Sequence, residues 1–205
     1  MRRDELEIRN FFDKASRNRD IKLQDPILRY EQDMRQRAVM ELLAPALGEL
    51  ILDVGCGNAR DIIPFAQKGA TCVGVDFSNG MVREGKKAIE YLGLKNVDLI
   101  LANATHLPFK RGYFDKISCS EVIEHIPDYP KAIAEINRVL KEGGKIVITT
   151  PNRHSAYGVV RKGMSLTFGS GGRIFRALQI IRRQKSQGAG HPYDKWKTQK
   201  EVIGQ

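Results

Sequence analysis

Cysteine is scarce in this chain of 205 residues, and its three copies follow no pairing or metal-ligand spacing. Cys56, Cys72 and Cys119 fall at or beside expected strand ends. That excludes a disulfide framework and predicts reduced, buried thiols in a cytoplasmic protein. No apolar run approaches the length of a bilayer span. The start, Met1-Arg2-Arg3-Asp4-Glu5-Leu6-Glu7, carries acids where a secretory signal needs apolar residues, so no signal peptide is expected. Acidic residues are almost missing from the last quarter. Between Arg153 and Lys200 there are 11 Lys or Arg against one acid, Asp194, an excess equal to the +10 net charge of the whole chain. The rest of the sequence is therefore neutral overall, and any attraction to polyanions belongs to that one segment.

What is present suits a soluble globular domain: 41% hydrophobic and 28% charged residues, in a length that supports one full core. Residues 1–48 read as an N-terminal helical cap, with Phe11, Phe12 and Tyr30 placed to pack on a sheet or to cover a pocket. From Glu49 the pattern alternates regularly. Strands are expected at 50–54, 71–75, 97–101, 115–119 and 145–149, and helices at 58–68, 79–92 and 129–141, the last closed by Gly143-Gly144. This is an α/β pattern with a doubly wound, mostly parallel sheet over 49–152. Right-handed crossovers put a ligand at the C-terminal edge of such a sheet, beside the switch between the first and fourth strands.

The stretch Leu50-Ile51-Leu52-Asp53-Val54-Gly55-Cys56-Gly57-Asn58-Ala59-Arg60 runs from an apolar strand through a glycine turn into an expected helix. Gly55 and Gly57 suit a sharp turn that a ligand approaches closely, and helix N–H groups would face that ligand. About 20 residues on, Thr71-Cys72-Val73-Gly74-Val75 ends on Asp76, where a carboxylate can accept ribose hydroxyls. The third strand leads into Ala102-Asn103-Ala104, which places a polar side chain near a base edge. A dinucleotide-binding turn needs a glycine where Arg60 stands, which argues against a pyrophosphate.

Leu-Asp-Val-Gly-Cys-Gly, Gly-Val-Asp-Phe-Ser, Asn-Ala-Thr-His-Leu-Pro-Phe, Phe-Asp-Lys-Ile and Leu-Lys-Glu-Gly-Gly-Lys-Ile-Val-Ile, in that order over roughly 35–152, resemble the class I S-adenosylmethionine-dependent methyltransferases. Ala59 departs from the family's frequent third glycine, and Asn103 from its frequent Asp. The resemblance implies a Rossmann-like fold and S-adenosylmethionine as cofactor. It also implies a binding set of Asp53, Gly55, Cys56, Gly57, Asp76, Phe77, Met81, Asn103, Ala104 and Ser120. A doubly wound domain that binds no cofactor is the alternative.

Methyl transfer from a sulfonium needs alignment and water exclusion, and a hydroxyl acceptor also needs a group to take its proton. Glu121-Val-Ile-Glu124-His125 follows the fourth strand, so Glu124 and His125 are the candidate catalytic residues. The same stretch with a later His191 resembles quinone-biosynthesis O-methyltransferases and small-RNA 2′-O-methyltransferases. That likeness implies a divalent metal, Mg²⁺ or another, at Glu121, Glu124, His125 and His191. The alternative is that His125 packs beneath the cofactor loop. His106 reads as a surface or outer residue, and His154 and Tyr157 as acceptor-side groups.

Residues 153–205 form a basic insertion and a C-terminal segment that lacks the last two strands of the family pattern. This is expected to reflect a truncated chain, or else a shortened fold. Within it, a helix near 172–185 sets Ile174, Phe175, Ala177, Leu178 and Ile181 opposite Arg176, Gln179 and Arg183. Such a helix suits peripheral contact with a membrane surface through 153–185 or simple packing; a nucleic-acid partner uses the same charge but lacks stacking aromatics. The expected activity is methylation of a hydroxyl on a small or lipid-like acceptor. An RNA 2′-O-methyltransferase and a catalytically silent cofactor-binding module are the alternatives.

Overall fold

The computed structural model describes residues 3–16 and 26–150. Its elements run α1 (Arg3–Ala15), α2 (Pro26–Leu43), β1 (Leu50–Val54), α3 (Ile62–Gln67), β2 (Thr71–Asp76), α4 (Asn79–Tyr91), β3 (Val97–Leu101), β4 (Phe114–Ser120), a 3-10 turn (Ile123–His125), α5 (Tyr129–Val139) and β5 (Leu140–Thr149). They belong to a unit spanning Met1–Thr150. Pro151–Gln205 is a second unit outside the described residues. The expected helix near 172–185, the membrane-facing segment 153–185, His154, Tyr157 and His191 all fall there.

The sheet has the order β3-β2-β1-β4-β5, and every pairing is parallel. Central β1 is buried from Ile51 onward, which explains why Ile-Leu-Asp-Val shows no polar alternation. The edge strands carry exposed positions, as at Ile100, Leu101 and Ile146. Val39 and Leu43 of α2, Ile62 and Phe65 of α3, and Val82 and Ile89 of α4 share one core cluster with Ile51, Cys72, Leu99 and Val147. Going from β1 to β3 the chain winds one way, and from β4 to β5 it winds the other. Right-handed crossovers therefore place α5 on the opposite face, where Ala132, Ile136 and Val139 are buried. The three cysteines are free and buried. Burial pushes the Cys72 thiol up to about 12 and raises that of Cys119, so both behave as apolar fillers.

Three expectations need correction. The first helix of the core begins at Ile62 rather than 58, because Ala59 adopts φ +68° and Asn58–Asp61 form turns. One N–H group expected to face a ligand is consumed there, with Ala59 N–H donating to Cys56 O. The helix after β4 ends at Val139, four residues before Gly143, since Leu140 already turns extended (ψ 137°). Gly143 (φ +71°) instead serves a bulge, where pairing with β4 jumps from Phe114–Leu140 to Lys116–Lys145. Third, Tyr30 is 65% exposed and takes no part in the core.

Candidate functional site

The ends of β1, β2 and β4 meet at one edge, where the turns after β1 and β4 adopt left-handed backbone conformations and β2 ends on the Asp76 carboxylate. After β1, Gly55 (φ +74°), Gly57 (φ +54°) and Ala59 (φ +68°) all occupy the left-handed region. Gly55 N–H and Cys56 N–H both donate to Val75 O, at 2.7 and 3.0 Å, which fastens the turn to β2. A Cβ on Gly55 would lie 2.2 Å from Val122 Cγ2, so glycine is required by contact as well as by φ. Cys56 is buried against Gly74, where a Cβ would lie 2.8 Å from its sulfur.

Asp76 ends β2, and both its oxygens accept backbone N–H groups. Gly57 N–H donates to Oδ2 at 2.9 Å and Ser78 N–H to Oδ1 at 2.8 Å. The carboxylate thus joins the glycine turn to the start of α4. Ser78 caps that helix by accepting from the N–H of buried Met81 at 3.1 Å.

Beyond β3, Asn103 Oδ1 accepts both the N–H and the hydroxyl of Thr105, at 3.0 and 2.9 Å. Its oxygen is therefore spent on the turn that carries Ala104, and its amide N–H₂ is the group left for a ligand. Thr105 Oγ1 also meets His106 Nδ1 at 2.9 Å, while Lys131 Nζ meets His106 Nε2 at 2.6 Å. The lysine can only donate and the threonine proton goes to Asn103, so His106 carries its hydrogen on Nδ1. His106 is exposed, as expected for a surface residue. Glu135 holds the rest of this loop by accepting Leu107 N–H and a two-pronged contact from Arg138, which drops its carboxyl to about 2.

At the end of β4, Ser120 Oγ and Thr149 Oγ1 lie 2.8 Å apart, and Thr149 donates to Glu121 Oε1 at 3.2 Å. Glu121 has φ +57°, a strained conformation for a residue with a Cβ, held by its N–H to Thr149 O at 3.0 Å. Burial raises its carboxyl, although Arg35 and Thr149 pull the other way. Glu124 is buried in the 3-10 turn, and its Oε1 lies 3.7 Å from His125 Nε2. Among the described residues, no three His, Cys, Asp or Glu side chains form a metal-holding group. The expected ligand trio Glu121, Glu124 and His125 is thus not assembled: Glu121 turns to Thr149, and Glu124 turns inward.

Asp53, next to last in β1, is buried at 2% exposure with Oδ2 unpartnered. Burial first, then the charge of Asp61, pushes its carboxyl well above the usual range, offset only in part by Ser118 and Arg35.

Several residues that build this edge were not foreseen. Arg60 does more than fill a glycine position: it donates to Gln32 Oε1 and, at 2.6 Å, to Asp33 Oδ1 of α2. Gln36 Nε2 donates to Arg60 O at 3.0 Å, and Arg35 pairs with Asp61 at 3.6 Å. On the other flank, Asp13 Oδ1 accepts from Ser78 Oγ at 2.5 Å and Gly80 N–H at 2.8 Å. A Cβ on Gly80 would meet Ser16 Oγ at 2.5 Å, so α1 lies directly on the start of α4. Arg9 of α1 sits 5.9 Å above the Phe77 ring, and Phe12 meets the His125 ring edge-on at 5.4 Å. Phe12 therefore packs against the His125 ring at this edge. Asp13 and its partners are 65 and 67 positions apart, which no local pattern reveals.

The unpartnered Asp53 oxygen, the glycine turn and the Asp76 carboxylate at one sheet edge fit a ligand bearing a cationic group and a ribose. A family model described as a methyltransferase domain matches residues 52–148. A demethylmenaquinone methyltransferase of Bacillus cereus is 31% identical over 168 residues, covering 80% of this chain and 70% of the relative. The crystal structure of the YcgJ protein from Bacillus subtilis is 27% identical, with a TM-score of 0.55 over 57% of this chain and 50% of that one. A putative S-adenosylmethionine-dependent methyltransferase from Methanococcus maripaludis is 18% identical and shares the fold, with a TM-score of 0.60 over 85% of this chain and 82% of its own.

Proposed function

The chain belongs to the class I S-adenosylmethionine-dependent methyltransferases, and from that premise we propose that it methylates a ring hydroxyl of a small or lipid-like, quinone-class acceptor. The quinone class alone takes its support from the relatives named demethylmenaquinone methyltransferase; the hydroxyl is our reading of the groups at the end of β4. The observation that carries the chemistry is His125, set beside buried Glu124 at the end of β4 and capped by Phe12.

When bound, S-adenosylmethionine supplies a methyl on a sulfonium whose departure leaves a neutral thioether. Asp76 would hold the ribose, the Gly55–Gly57 turn would admit the sulfonium end closely, and Asn103 would face the base as a donor. Phe77, Met81 and Ala104 would line the adenosine, with Asp53, Cys56 and Ser120 beneath the other end. His125 takes the acceptor's proton. The Glu124 carboxylate lies 3.7 Å from its Nε2, beside the positive charge that results. Phe12 keeps water away from that ring. The basic segment 153–185 is proposed to meet anionic lipid where an apolar acceptor resides.

The test is methyl transfer to hydroxylated naphthoquinols with and without a prenyl tail, read by mass spectrometry. His125→Gln should lower turnover by about 10²–10⁴-fold and leave S-adenosylhomocysteine affinity unchanged. Methylated RNA in place of quinol would favour the RNA enzyme. Cofactor binding with no turnover on either would favour the silent module.

A further inference from the structure

The turn after β4 carries a carboxylate on a backbone that disfavours it. Glu121 takes φ +57°, where a residue with a Cβ is strained, and its N–H donates to Thr149 O at 3.0 Å. Asparagine or glycine would occupy that conformation more cheaply. A half-buried glutamate there, in no metal-holding group among the described residues, points to a use for its carboxylate.

The placement of protons decides what that carboxylate can recognise. Thr149 Oγ1 donates to Glu121 Oε1 at 3.2 Å, which uses the single proton of that hydroxyl. The 2.8 Å bond between Ser120 Oγ and Thr149 Oγ1 must then be donated by Ser120. Both hydroxyl protons therefore run toward Glu121, and among the described residues no donor fills its Oε2. The charges that act on it are Arg35 and Glu31 of α2 and Asp61 of the turn after β1. Arg35 already pairs with Asp61 at 3.6 Å, so an anion is repelled here and a neutral O–H donor is favoured. Burial strengthens Glu121 as an acceptor, because little water competes for it.

We infer that Glu121 receives a second hydroxyl of the methyl acceptor, and so selects a ring in its reduced, diol form over one with a single hydroxyl. This rests on the proposed hydroxyl acceptor, whose reacting proton goes to His125. A carboxylate can only accept, so a ring carbonyl at the same position would meet it lone pair against lone pair. Ser120 and Thr149 act through Glu121: their two bonds fix which way its carboxylate faces.

Initial rates on the full chain with 1,4-dihydroxynaphthalene and 1-naphthol test it, beside calorimetry with S-adenosylhomocysteine. The two acceptors differ by one hydroxyl. The unaltered protein should show about 10- to 100-fold higher kcat/KM on the diol, carried mainly by KM. Glu121→Asn should bring the two acceptors level, because its shorter side chain withdraws the oxygen. It should still bind S-adenosylhomocysteine as the parent does and melt no lower, since asparagine accepts the left-handed conformation more readily. Thr149→Val leaves the carboxylate but not its orientation, and should lose part of the preference. Equal losses on both acceptors with a lower melting temperature in Glu121→Asn would make Glu121 a scaffold residue and overturn the assignment. So would an unaltered protein that turns over both acceptors equally well. Methylation of neither acceptor by the unaltered protein would bring down the hydroxyl-acceptor reading itself, and this assignment with it.

Discussion

The two ends of the sheet treat carboxylates in opposite ways. Where the strands begin, Asp115 accepts Leu50 N–H at 2.9 Å and Lys141 Nζ at 2.6 Å, and Lys116 reaches Ala44 O and Glu49. The Lys141 hydrogen bond, more than anything else, holds the Asp115 carboxyl below its ordinary range. Where the strands finish, burial holds Asp53 and Glu121 above theirs. Asp53 sits on β1 and Asp115 on the adjoining β4. The same residue type on neighbouring strands is thus a satisfied strut at one end and an unsatisfied charge at the other. The first end serves the fold; the second stores unpaired capacity for a ligand.

The contrast is broken most severely at Gly55. Gly55→Ala places a methyl 2.2 Å from Val122 Cγ2 and 2.8 Å from Cγ1, on a backbone at φ +74°. Steric overlap and left-handed strain together should cost about 2–4 kcal/mol of stability. Thermal unfolding should show a large drop, and S-adenosylhomocysteine binding should be lost. Adding Val122→Ala should recover part of the stability, because Cγ1 and Cγ2 are the nearest atoms. A Gly55→Ala protein that melts like the parent would mean the turn is free to move.

Asp13 comes next. Asp13→Ala removes the acceptor for both Ser78 Oγ and Gly80 N–H, which should cost about 1–3 kcal/mol. The loss should appear first as faster hydrogen exchange in α1, and then as weaker cofactor binding, since Ser78 adjoins Asp76. Unchanged exchange in α1 would mean Phe12 and Arg9 hold the helix without it.

These two residues also show what a sequence reveals. Gly55 was legible because a strand and a tight turn must be adjacent in the chain, and the spacing to Asp76 follows from one crossover. Strand β1 was legible because burial on both faces forces an unbroken apolar run. The start of α3 was not, because Ala59 takes a left-handed conformation that its small, neutral side chain does not announce. Asp13, Arg35 and Gln36 were hidden for another reason. Their partners lie tens of positions away, so their roles exist only once α1 and α2 are docked. Among the described residues Glu121, Glu124 and His125 form no metal-holding group, because the spacing places three side chains near one turn without fixing where each one points.

A smaller effect, of opposite sign, is expected at Asp53. Its folded-state carboxyl lies above the unfolded value, so the folded protein binds that proton more tightly. Stability therefore declines as pH rises from the ordinary carboxylate range through the raised value. Asp53→Asn lacks this decline and should melt higher than the parent at neutral pH, by an amount on the order of 1 kcal/mol. The difference should vanish in acid. The same variant should bind S-adenosylhomocysteine more weakly, because the ligand loses the charge that faces its cationic group. Higher melting together with undiminished affinity would show that Asp53 has no part in binding.

Asp115→Asn should give the mirror image with the smallest amplitude. The folded carboxyl here lies below the unfolded value, so its contribution is complete above the ordinary carboxylate range and is lost as pH falls through the folded value. The asparagine can still accept Leu50 N–H through its remaining oxygen but cannot pair with Lys141. Both partners of that pair are substantially exposed, Asp115 at 33% and Lys141 at 45%, so water and salt screen it. About 0.5–1 kcal/mol should be lost at neutral pH, less in 1 M salt. Melting curves across pH should thus show the two gaps closing in acid from opposite sides: Asp53→Asn from above the parent and Asp115→Asn from below. If no gap opens at any pH, the Leu50 hydrogen bond, which the asparagine keeps, carries the strut and Lys141 adds nothing. The beginning of the sheet would then be pinned by its backbone contacts alone.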